Sequence, residues 1–295
     1  MKFFRIIVTL LLIGIVAAFI SAPAKYMLSF FDGLTVWAYN VLPALFPFAV
    51  LSTLTFKIAP KSKRSFTKAL FGISCDHVFL MSLLCGYPIG AKAISDSNAD
   101  APTATRACSF CSTAGPIFII ATVGTKLLQN TVATVIVIVA HIFSAILNGL
   151  LYRKKEHAVM LDTTENFTPK DFSNTVTNSL LSVLSVGGLI ALFYMLTDML
   201  KSFLPTSIAD SLAFSYAVGM LEMTNGIIGV CKLADIATAT VLVSSLLALG
   251  GACVFMQCYA FLGNKNVKAL DIIKAKLTQS AFATLLSFLL VKIFL

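Results

Sequence analysis

Charged residues are scarce in this sequence: they make up 12% of its 295 residues, whereas 58% are hydrophobic. Soluble domains carry roughly 25% charged residues, so a soluble protein of this composition would need a very large core with almost no surface. No polar stretch is long enough to form a separate soluble domain. The composition therefore excludes a soluble protein and indicates one membrane domain with about eight to ten hydrophobic segments of roughly 20 residues each.

Catalytic signatures are missing as well. The sequence has no Walker, GxSxG or HExxH motif, so nothing in it indicates ATP hydrolysis or peptide-bond chemistry. Cys108 and Cys111 have the CxxC spacing, but no second pair of ligands lies nearby in the sequence. Cysteines in apolar segments usually pack as small hydrophobic side chains. We therefore expect no enzymatic activity, no cofactor and no metal, and a membrane enzyme is the weakest functional hypothesis.

The net charge of +9 comes from basic residues in short loops between apolar runs. The positive-inside rule explains this distribution better than nucleic-acid binding does. With the N-terminus in the cytoplasm, the basic residues at 57–68, 153–155, 170 and 265–276 all lie inside, and only single lysines remain outside. This orientation requires residues 70–95 to enter and leave the membrane on the cytoplasmic side, and residues 209–230 to do so on the outside. The charge pattern thus predicts two re-entrant hairpins of opposite orientation.

Glycine and proline interrupt several hydrophobic segments. The motif GYPIG spans Gly86 to Gly90, STAGP spans Ser112 to Pro116, and the second half of the chain carries LEMTNG and a Gly-Gly pair. Lipid offers an unpaired backbone amide no water, so a broken helix is tolerated only where the freed groups line a protected cavity. In transporters that cavity is often the substrate site. The predicted helix-breaking residues are Gly86, Pro88, Gly90, Gly115, Pro116, Gly226, Gly250 and Gly251.

The breaks recur at a constant spacing, which indicates an internal repeat. Gly226 follows Gly90 by 136 positions (226 − 90), and Gly251 follows Gly115 by the same 136 (251 − 115). Chance agreement of glycines is the alternative, and the charge pattern argues against it. The predicted fold is an all-α polytopic membrane protein. It has an inverted repeat with two re-entrant hairpins and two broken transmembrane helices, and the site lies near the midplane where the repeats meet.

This prediction divides the chain into five parts. Residues 1–35 form an N-terminal signal-anchor helix and a connector, because Lys2 and Arg5 precede an apolar run while Pro23 makes a poor cleavage site. The first repeat and a linking helix follow, then a cytoplasmic loop, the second repeat, and finally a basic amphipathic segment with a C-terminal helix. The corresponding ranges are 36–152, 153–175, 176–262 and 263–295.

Two charged residues mark the predicted site. Lys92 follows the first hairpin apex, and Glu222 holds the corresponding place in the second unit, where it is the only glutamate within any hydrophobic segment. A charge inside the membrane costs at least about 2.5–3.5 kcal/mol on insertion scales, so each residue is a candidate contact for a coupling ion or a polar solute. The alternatives are a Lys92 that snorkels to the interface near Asp96 and a Glu222 that pairs with a fixed cation such as Lys92. The candidate binding residues are Tyr87, Lys92, Ser109, Ser112, Thr113, Glu222, Thr224, Asn225 and Gln257.

Three ordered motifs resemble a known family. LCGYPIGAK begins at Leu84, CSFCSTAGPIFIIATVG at Cys108 and LEMTNG at Leu221. They are similar to the SGYPxGA, SFCNxSGPxF and LEITNG patterns of the YlbJ-type sporulation integral membrane proteins, which belong with the nucleoside-recognition, or Gate, domain proteins. The resemblance covers about residues 42–262. Cys85 stands where the family usually has serine, and Ser112 stands where it often has an asparagine whose amide would be available to a solute.

The resemblance implies an endospore-forming bacterial host, a multi-pass protein of the cytoplasmic membrane, and nucleoside-like solutes. Together with the residues, it predicts a permease-like protein of two Gate-like repeats that lies in the lipid bilayer and moves a small polar solute. The hypothesis also allows a coupling ion and assembly into a homo-oligomer, but it predicts no binding of nucleic acid. The alternative is a non-transporting membrane factor or scaffold required for spore formation.

Overall fold

The structure, a computed structural model, describes residues 2–58, 65–154 and 169–295. Over these ranges the secondary structure is helical and contains no strand, which confirms the prediction of an all-α protein. Residues 59–64 and 155–168 lie outside the described part of the chain. They include most of the predicted cytoplasmic loop at 153–175 and part of the basic cluster at 57–68.

Two helices that meet at a sharp bend form the N-terminal region. Helix α1 spans Lys2–Ser21 and α2 spans Pro23–Val36, with an angle of 104° between the two segments. Pro23 suits the start of α2, because the first turn of a helix leaves its N–H groups without intrahelical partners. The predicted connector after the first helix is thus a second helix, and the buried side chains of Tyr26 and Ser29 lie on it.

A π-helical turn at Trp37–Val41 leads into α3, which spans Leu42–Ile58. The first hairpin follows. Helices α5 and α6 are joined at an apex that starts at Gly86, where φ is +78°. Gly90 does not break a helix but lies in α6, where a Cβ atom would come within 2.8 Å of Ser82 Cβ on α5. Helix α4 spans Phe66–Phe71, α5 spans Asp76–Cys85 and α6 spans Ile89–Asp96.

The first broken helix connects α7 to a π-helix. Helix α7 spans Ala101–Cys108, and the π-helical segment covers Phe118–Leu128. Between them the chain from 112 to 115 is irregular, as the STAGP motif predicts. Helix α8, Thr131–Leu151, begins where the Asn130 side chain accepts a hydrogen bond from the N–H of Ala133. Such a cap stabilises a helix start by typically about 1 kcal/mol.

The second half has the same order of elements. A long helix, α9, precedes the hairpin of α11 and α12, and a broken helix of α13 and α14 precedes α15. In the second hairpin only Glu222 leaves the helical conformation, and Gly226 lies inside α12, where a Cβ atom would come within 2.1 Å of Gly219 Cα. Both glycines near the hairpin apices therefore permit close packing of the arms rather than a break. The ranges are α9 Pro169–Ser202, α10 Thr206–Ala209, α11 Leu212–Leu221, α12 Met223–Leu233, α13 Ile236–Leu249, α14 Gly251–Leu262 and α15 Ala269–Phe294.

The C-terminal region differs from the prediction. The segment interpreted as a basic amphipathic stretch followed by a short helix is one continuous helix, α15. Its side chain Lys276, which the charge pattern placed among the cytoplasmic basic residues, is only 6% exposed. Ile272, Gln279 and Ala283 are buried on the same helix face, because residues three and four positions apart lie next to each other on a helix. The helical period, rather than the charge, decides the position of Lys276.

Four helices in the described ranges are long and apolar enough to cross a membrane, and a fifth is added if the bent pair of α1 and α2 is counted as one span. Their outward sides are apolar, as for Leu181 at 57% exposed and Leu285 at 56%. The four spans are Thr131–Leu151, Phe172–Ser202, Ile236–Lys265 and Ala269–Phe294. The chain is thus a multi-pass helical membrane protein, and its described residues contain fewer full spans than the eight to ten hydrophobic segments counted in the sequence.

We predict that Gly226→Ala destabilises the second hairpin. Alanine is favoured over glycine in a helix by up to about 1 kcal/mol, but overpacking against the backbone of Gly219 costs typically about 1–3 kcal/mol. Gly188→Ala is the matched control, because Gly188 lies mid-helix in α9 and a Cβ atom there meets nothing within 4 Å. Thermal unfolding in detergent should show a lower midpoint for Gly226→Ala and an unchanged or higher one for Gly188→Ala. Equal midpoints would contradict the close approach of the two arms.

Candidate functional site

Each helix break packs directly on a hairpin apex. A Cβ atom at Gly86 would lie 2.3 Å from the backbone nitrogen of Gly115, and one at Gly115 would lie 3.0 Å from the Cys85 carbonyl oxygen. In the second half, a Cβ atom at Gly251 would lie 3.2 Å from the Leu221 carbonyl oxygen. Backbone meets backbone in both places, which excludes any side chain larger than a hydrogen atom. The glycines bring two irregular segments together at one point in each half.

The carbonyl groups freed at the breaks have side-chain partners. The last turn of α13 ends at Gly250, where φ is +78° and the chain leaves the helix. There the Tyr87 hydroxyl donates to the Leu247 carbonyl at 2.8 Å, and Lys276 Nζ donates to the Ala248 carbonyl at 3.5 Å. Lys276 Nζ also donates to the Ser112 carbonyl in the first break. One lysine therefore serves both breaks, and carbonyls that would otherwise lack partners in an apolar interior are paired.

His141 accepts a hydrogen bond from one backbone donor of the first break. It lies in α8 with no exposed surface, and its Nε2 accepts a hydrogen bond from the Ala114 N–H at 2.8 Å. An acceptor Nε2 requires a neutral imidazole with its proton on Nδ1. That Nδ1 atom has no hydrogen-bond partner among the described residues. His141 thus acts as a fixed acceptor for a backbone amide.

Glu222 caps the second arm of its hairpin. The residue is 2% exposed, and its two carboxylate oxygens accept hydrogen bonds from the N–H groups of Thr224 at 3.0 Å and Asn225 at 2.7 Å. A negative charge is favoured there because the N-terminus of α12 carries a partial positive charge. Glu222 and Lys92 are not ion-paired in the described part of the chain, since Lys92 Nζ donates to Ser182 Oγ at 3.1 Å and to a backbone carbonyl of α9. The alternative in which Lys92 compensates Glu222 is therefore not what the geometry shows.

A cavity of about 80 Å³ lies between the two hairpin apices, the first break, α3, α9 and α14. Its polar lining comes from Asn40 and from four of the candidate residues, Tyr87, Glu222, Thr224 and Gln257, and the rest is mostly apolar. A water molecule occupies roughly 30 Å³ of liquid volume, so the cavity has room for a few waters. Ordinary small-molecule sites enclose roughly 300–1,000 Å³.

A second, larger cavity begins on the other side of the Glu222 cap. It measures about 460 Å³ and is lined by Asn225, Thr197, Asp198 and the lysines Lys201 and Lys232, which the charge pattern places outside. Asn225 links the two cavities, because its N–H donates to Glu222 and its Nδ2 donates to Thr197 Oγ1 at 2.9 Å. The Glu222 cap therefore lies between the central cavity and a wider polar one.

The other candidate residues lie away from the central cavity. Ser109 donates to the Arg106 carbonyl at 2.7 Å, Thr113 donates to the Ser82 carbonyl at 2.8 Å, and Ser112 Oγ lies 3.7 Å from Cys258 Sγ. These bonds hold the first break to its surroundings. Sequence reasoning missed Lys276 and assigned His141 no place in the site. The sequence does contain a signal for the burial of Lys276, because Lys276 lies at helical spacing from the apolar residues Ile272 and Ala283.

Two hairpins whose apices meet two helix breaks, inside a multi-pass bundle, describe a membrane protein with a protected central site. Comparison with known proteins gives the same class: the chain is 25% identical to the sporulation integral membrane protein YlbJ of Bacillus subtilis (strain 168) over 326 aligned positions, which cover 94% of this chain and 80% of that protein. This likeness supports assignment to the YlbJ-type proteins and confirms the resemblance carried by the three motifs. No family model matches the chain. No solved structure matches it either.

We predict that His141→Leu destabilises the protein. Leucine has a side chain of similar size but no hydrogen-bond acceptor. The buried Ala114 N–H therefore loses its partner, which costs roughly 1–3 kcal/mol. Ser144→Ala is the control, because the Ser144 hydroxyl is buried in the same helix but only donates to the carbonyl of His141. The unfolding midpoint in detergent should fall clearly for His141→Leu and little for Ser144→Ala. A His141→Leu protein as stable as wild type would mean that another group satisfies the amide.

Proposed function

We propose that the protein is a permease-like secondary transporter, and not an enzyme, built from two inverted repeats. Three equivalences support the repeat. Residues 76–85 of α5 and 212–221 of α11 have the same length and differ by 136 in numbering (212 − 76). The Gly115 break contacts Cys85 and the Gly251 break contacts Leu221, again 136 apart (221 − 85). Lys276 binds the carbonyls of Ser112 and Ala248, which share this spacing (248 − 112).

The hairpins are proposed to be re-entrant. Each first arm has 10 residues and is about 15 Å long at 1.5 Å per residue, which is half of a hydrocarbon core of roughly 30 Å. An arm of this length reaches the middle of the membrane and cannot cross it. The apices then lie near the midplane, where transporters with inverted repeats hold their substrates.

The central cavity is the observation that carries the proposal. Both apices, the first break and α14 contribute to one cavity, and a buried carboxylate, Glu222, lines it among mostly apolar neighbours. A binding site for a small polar solute needs this combination of a mostly apolar lining with a few fixed polar groups. The cavity is too small for a nucleoside-like solute as it stands, so transport of such a solute would require the cavity to widen. Separation of the Glu222 cap from the central cavity would join it to the wider cavity of about 460 Å³.

We predict that Glu222→Gln abolishes solute uptake and leaves folding near normal. Glutamine keeps the shape and one acceptor for the α12 N-terminus but removes the charge that faces the cavity. The measurement is an unbiased solute screen in proteoliposomes, followed by uptake of any solute that wild-type protein accumulates. Full uptake by a well-folded Glu222→Gln protein would remove the carboxylate from the mechanism.

Asp235→Asn is the matched control for that experiment. Asp235 also caps a helix, accepting from the Thr238 N–H at 3.0 Å, but it is exposed and does not line the cavity. The hydrogen bonds from the side chain and backbone of Thr238 lower the pKa of Asp235, so it is a charged cap at neutral pH. Its replacement should reduce helix capping slightly and leave uptake unchanged, which separates loss of a cap from loss of a site.

The proposed topology places Lys154 in the cytoplasm and Lys201 outside. Single cysteines at these positions, in a Cys231→Ser background because the other native cysteines are buried, should react differently with a membrane-impermeant maleimide. In intact cells we expect labelling at Lys201→Cys only, and labelling at Lys154→Cys only after permeabilisation. Labelling of both positions from outside would contradict the inverted arrangement of the two halves.

A link to spore formation is proposed from the relative's name, which describes a sporulation integral membrane protein. The alternative function, a non-transporting factor or scaffold for spore formation, is favoured by the small size of the central cavity. The two hypotheses differ in what Glu222→Gln does in an endospore-forming host. A transporter whose solute the spore needs loses heat-resistant spores together with uptake, whereas a scaffold keeps full spore yield with the variant.

A further inference from the structure

Lys276 is a buried cation whose hydrogen bonds, within the described part of the chain, go to neutral oxygen atoms. Its Nζ donates to the Gln279 side-chain oxygen at 3.2 Å, to the Tyr87 hydroxyl at 3.2 Å, and to the carbonyls of Ser112 and Ala248. The ammonium group also lies 4.5 Å from the centre of the Tyr87 ring, within the range of a cation–π interaction. A lysine would ordinarily be expected to find a carboxylate in such a place or to reach solvent.

The surrounding oxygens resemble the coordination shell of a metal cation. The Ala248 carbonyl belongs to the last turn of α13, and the Ser112 carbonyl belongs to the corresponding position of the first break. Carbonyl ends of helices carry partial negative charge. Groups of backbone carbonyls replace the hydration shell of monovalent cations in channels, and the C-terminal ends of half-helices bind Na⁺ or H⁺ in transporters. The two breaks therefore form a cage suited to a single positive charge.

We propose that the cage formed by the Ser112 and Ala248 carbonyls, the Gln279 amide and Tyr87 is a monovalent-cation site, and that the Lys276 ammonium is its resident cation. The protein then supplies from its own chain the charge that holds the two breaks together. One consequence rests on the proposed function: a transporter built this way needs no free coupling cation at this site. The cage itself stands independently of transport.

Lys276→Met tests the proposal. Methionine has four heavy side-chain atoms where the lysine stem has four carbons, so it fills the stem and leaves vacant the volume of the ammonium group. The purified full-length protein is unfolded thermally in KCl, ammonium chloride and choline chloride at matched ionic strength, because general screening must be equal in the three salts. Choline is too large for the cage. A ligand that binds only the folded state raises the unfolding midpoint.

We expect Lys276→Met to unfold at a lower temperature than wild type in choline chloride and to gain at least about 2 °C in potassium or ammonium salt. Wild type should show no such difference, because its site is occupied. Lys274→Met is the matched control, since Lys274 lies one half-turn away on α15 and is exposed. It should show the same midpoint in all three salts. A Lys276→Met midpoint that is independent of the cation would overturn the proposal.

A second variant separates a cation site from a simple hydrogen-bond donor. Lys276→Gln keeps N–H donors for the carbonyls but has no charge. If the cage requires a cation, this variant is also less stable than wild type and is also stabilised by potassium or ammonium. If Lys276→Gln is as stable as wild type in choline chloride, a neutral donor suffices and the proposal is wrong. Because unfolding is measured without solute, failure of the transport hypothesis in proteoliposomes leaves this result unaffected.

Discussion

The structure depends on one constraint: every backbone group that the helix breaks release must find a partner away from water. An unpaired buried donor or acceptor costs about 1–3 kcal/mol, and the two breaks together would leave several. Four side chains from separate parts of the chain supply partners for such backbone groups. They are Tyr87 for Leu247, His141 for Ala114, Lys276 for Ala248 and Glu222 for Thr224. The breaks and these four side chains are therefore interdependent, so neither set is stable in an apolar interior without the other.

The glycine contacts add a second constraint that acts on the same region. Because backbone approaches backbone at Gly86–Gly115 and at Gly219–Gly251, little space remains between each apex and its break. The small central cavity follows from this packing. In the proposed transporter, access for a solute would require movement of a hairpin relative to its neighbours. Hydrogen bonds between side chains and carbonyls are suited to such a movement, as water can replace them when the cavity opens.

The sequence predicts the helical class, the two breaks and the approximate hairpins, because glycine and proline act through local backbone geometry. The prediction that Gly90 and Gly226 break helices is wrong. In the sequence, a glycine that ends a helix looks the same as a glycine that permits close packing, and only the neighbouring segment of the structure distinguishes them. The charge pattern predicts a cytoplasmic position for Lys276, whereas the helical period places it on the buried face of α15. Glu222 accepts its hydrogen bonds from N–H groups two and three residues further along the chain, whereas the alternative predicted from the sequence was an ion pair with the distant Lys92.

The two buried charges nearest the centre are thus compensated by helix ends and not by each other. Glu222 lies at the positive N-terminal end of α12, and Lys276 binds the Ala248 carbonyl at the negative C-terminal end of α13 and the Ser112 carbonyl in the first break. Removal of one member of a buried ion pair leaves an uncompensated charge and costs about 3–5 kcal/mol. Compensation by backbone dipoles avoids this coupling, because each charge keeps its own partners when the other is neutralised. A neutral residue at position 222 therefore need not unfold the protein, and a loss of activity there can be attributed to the missing carboxylate at the cavity wall.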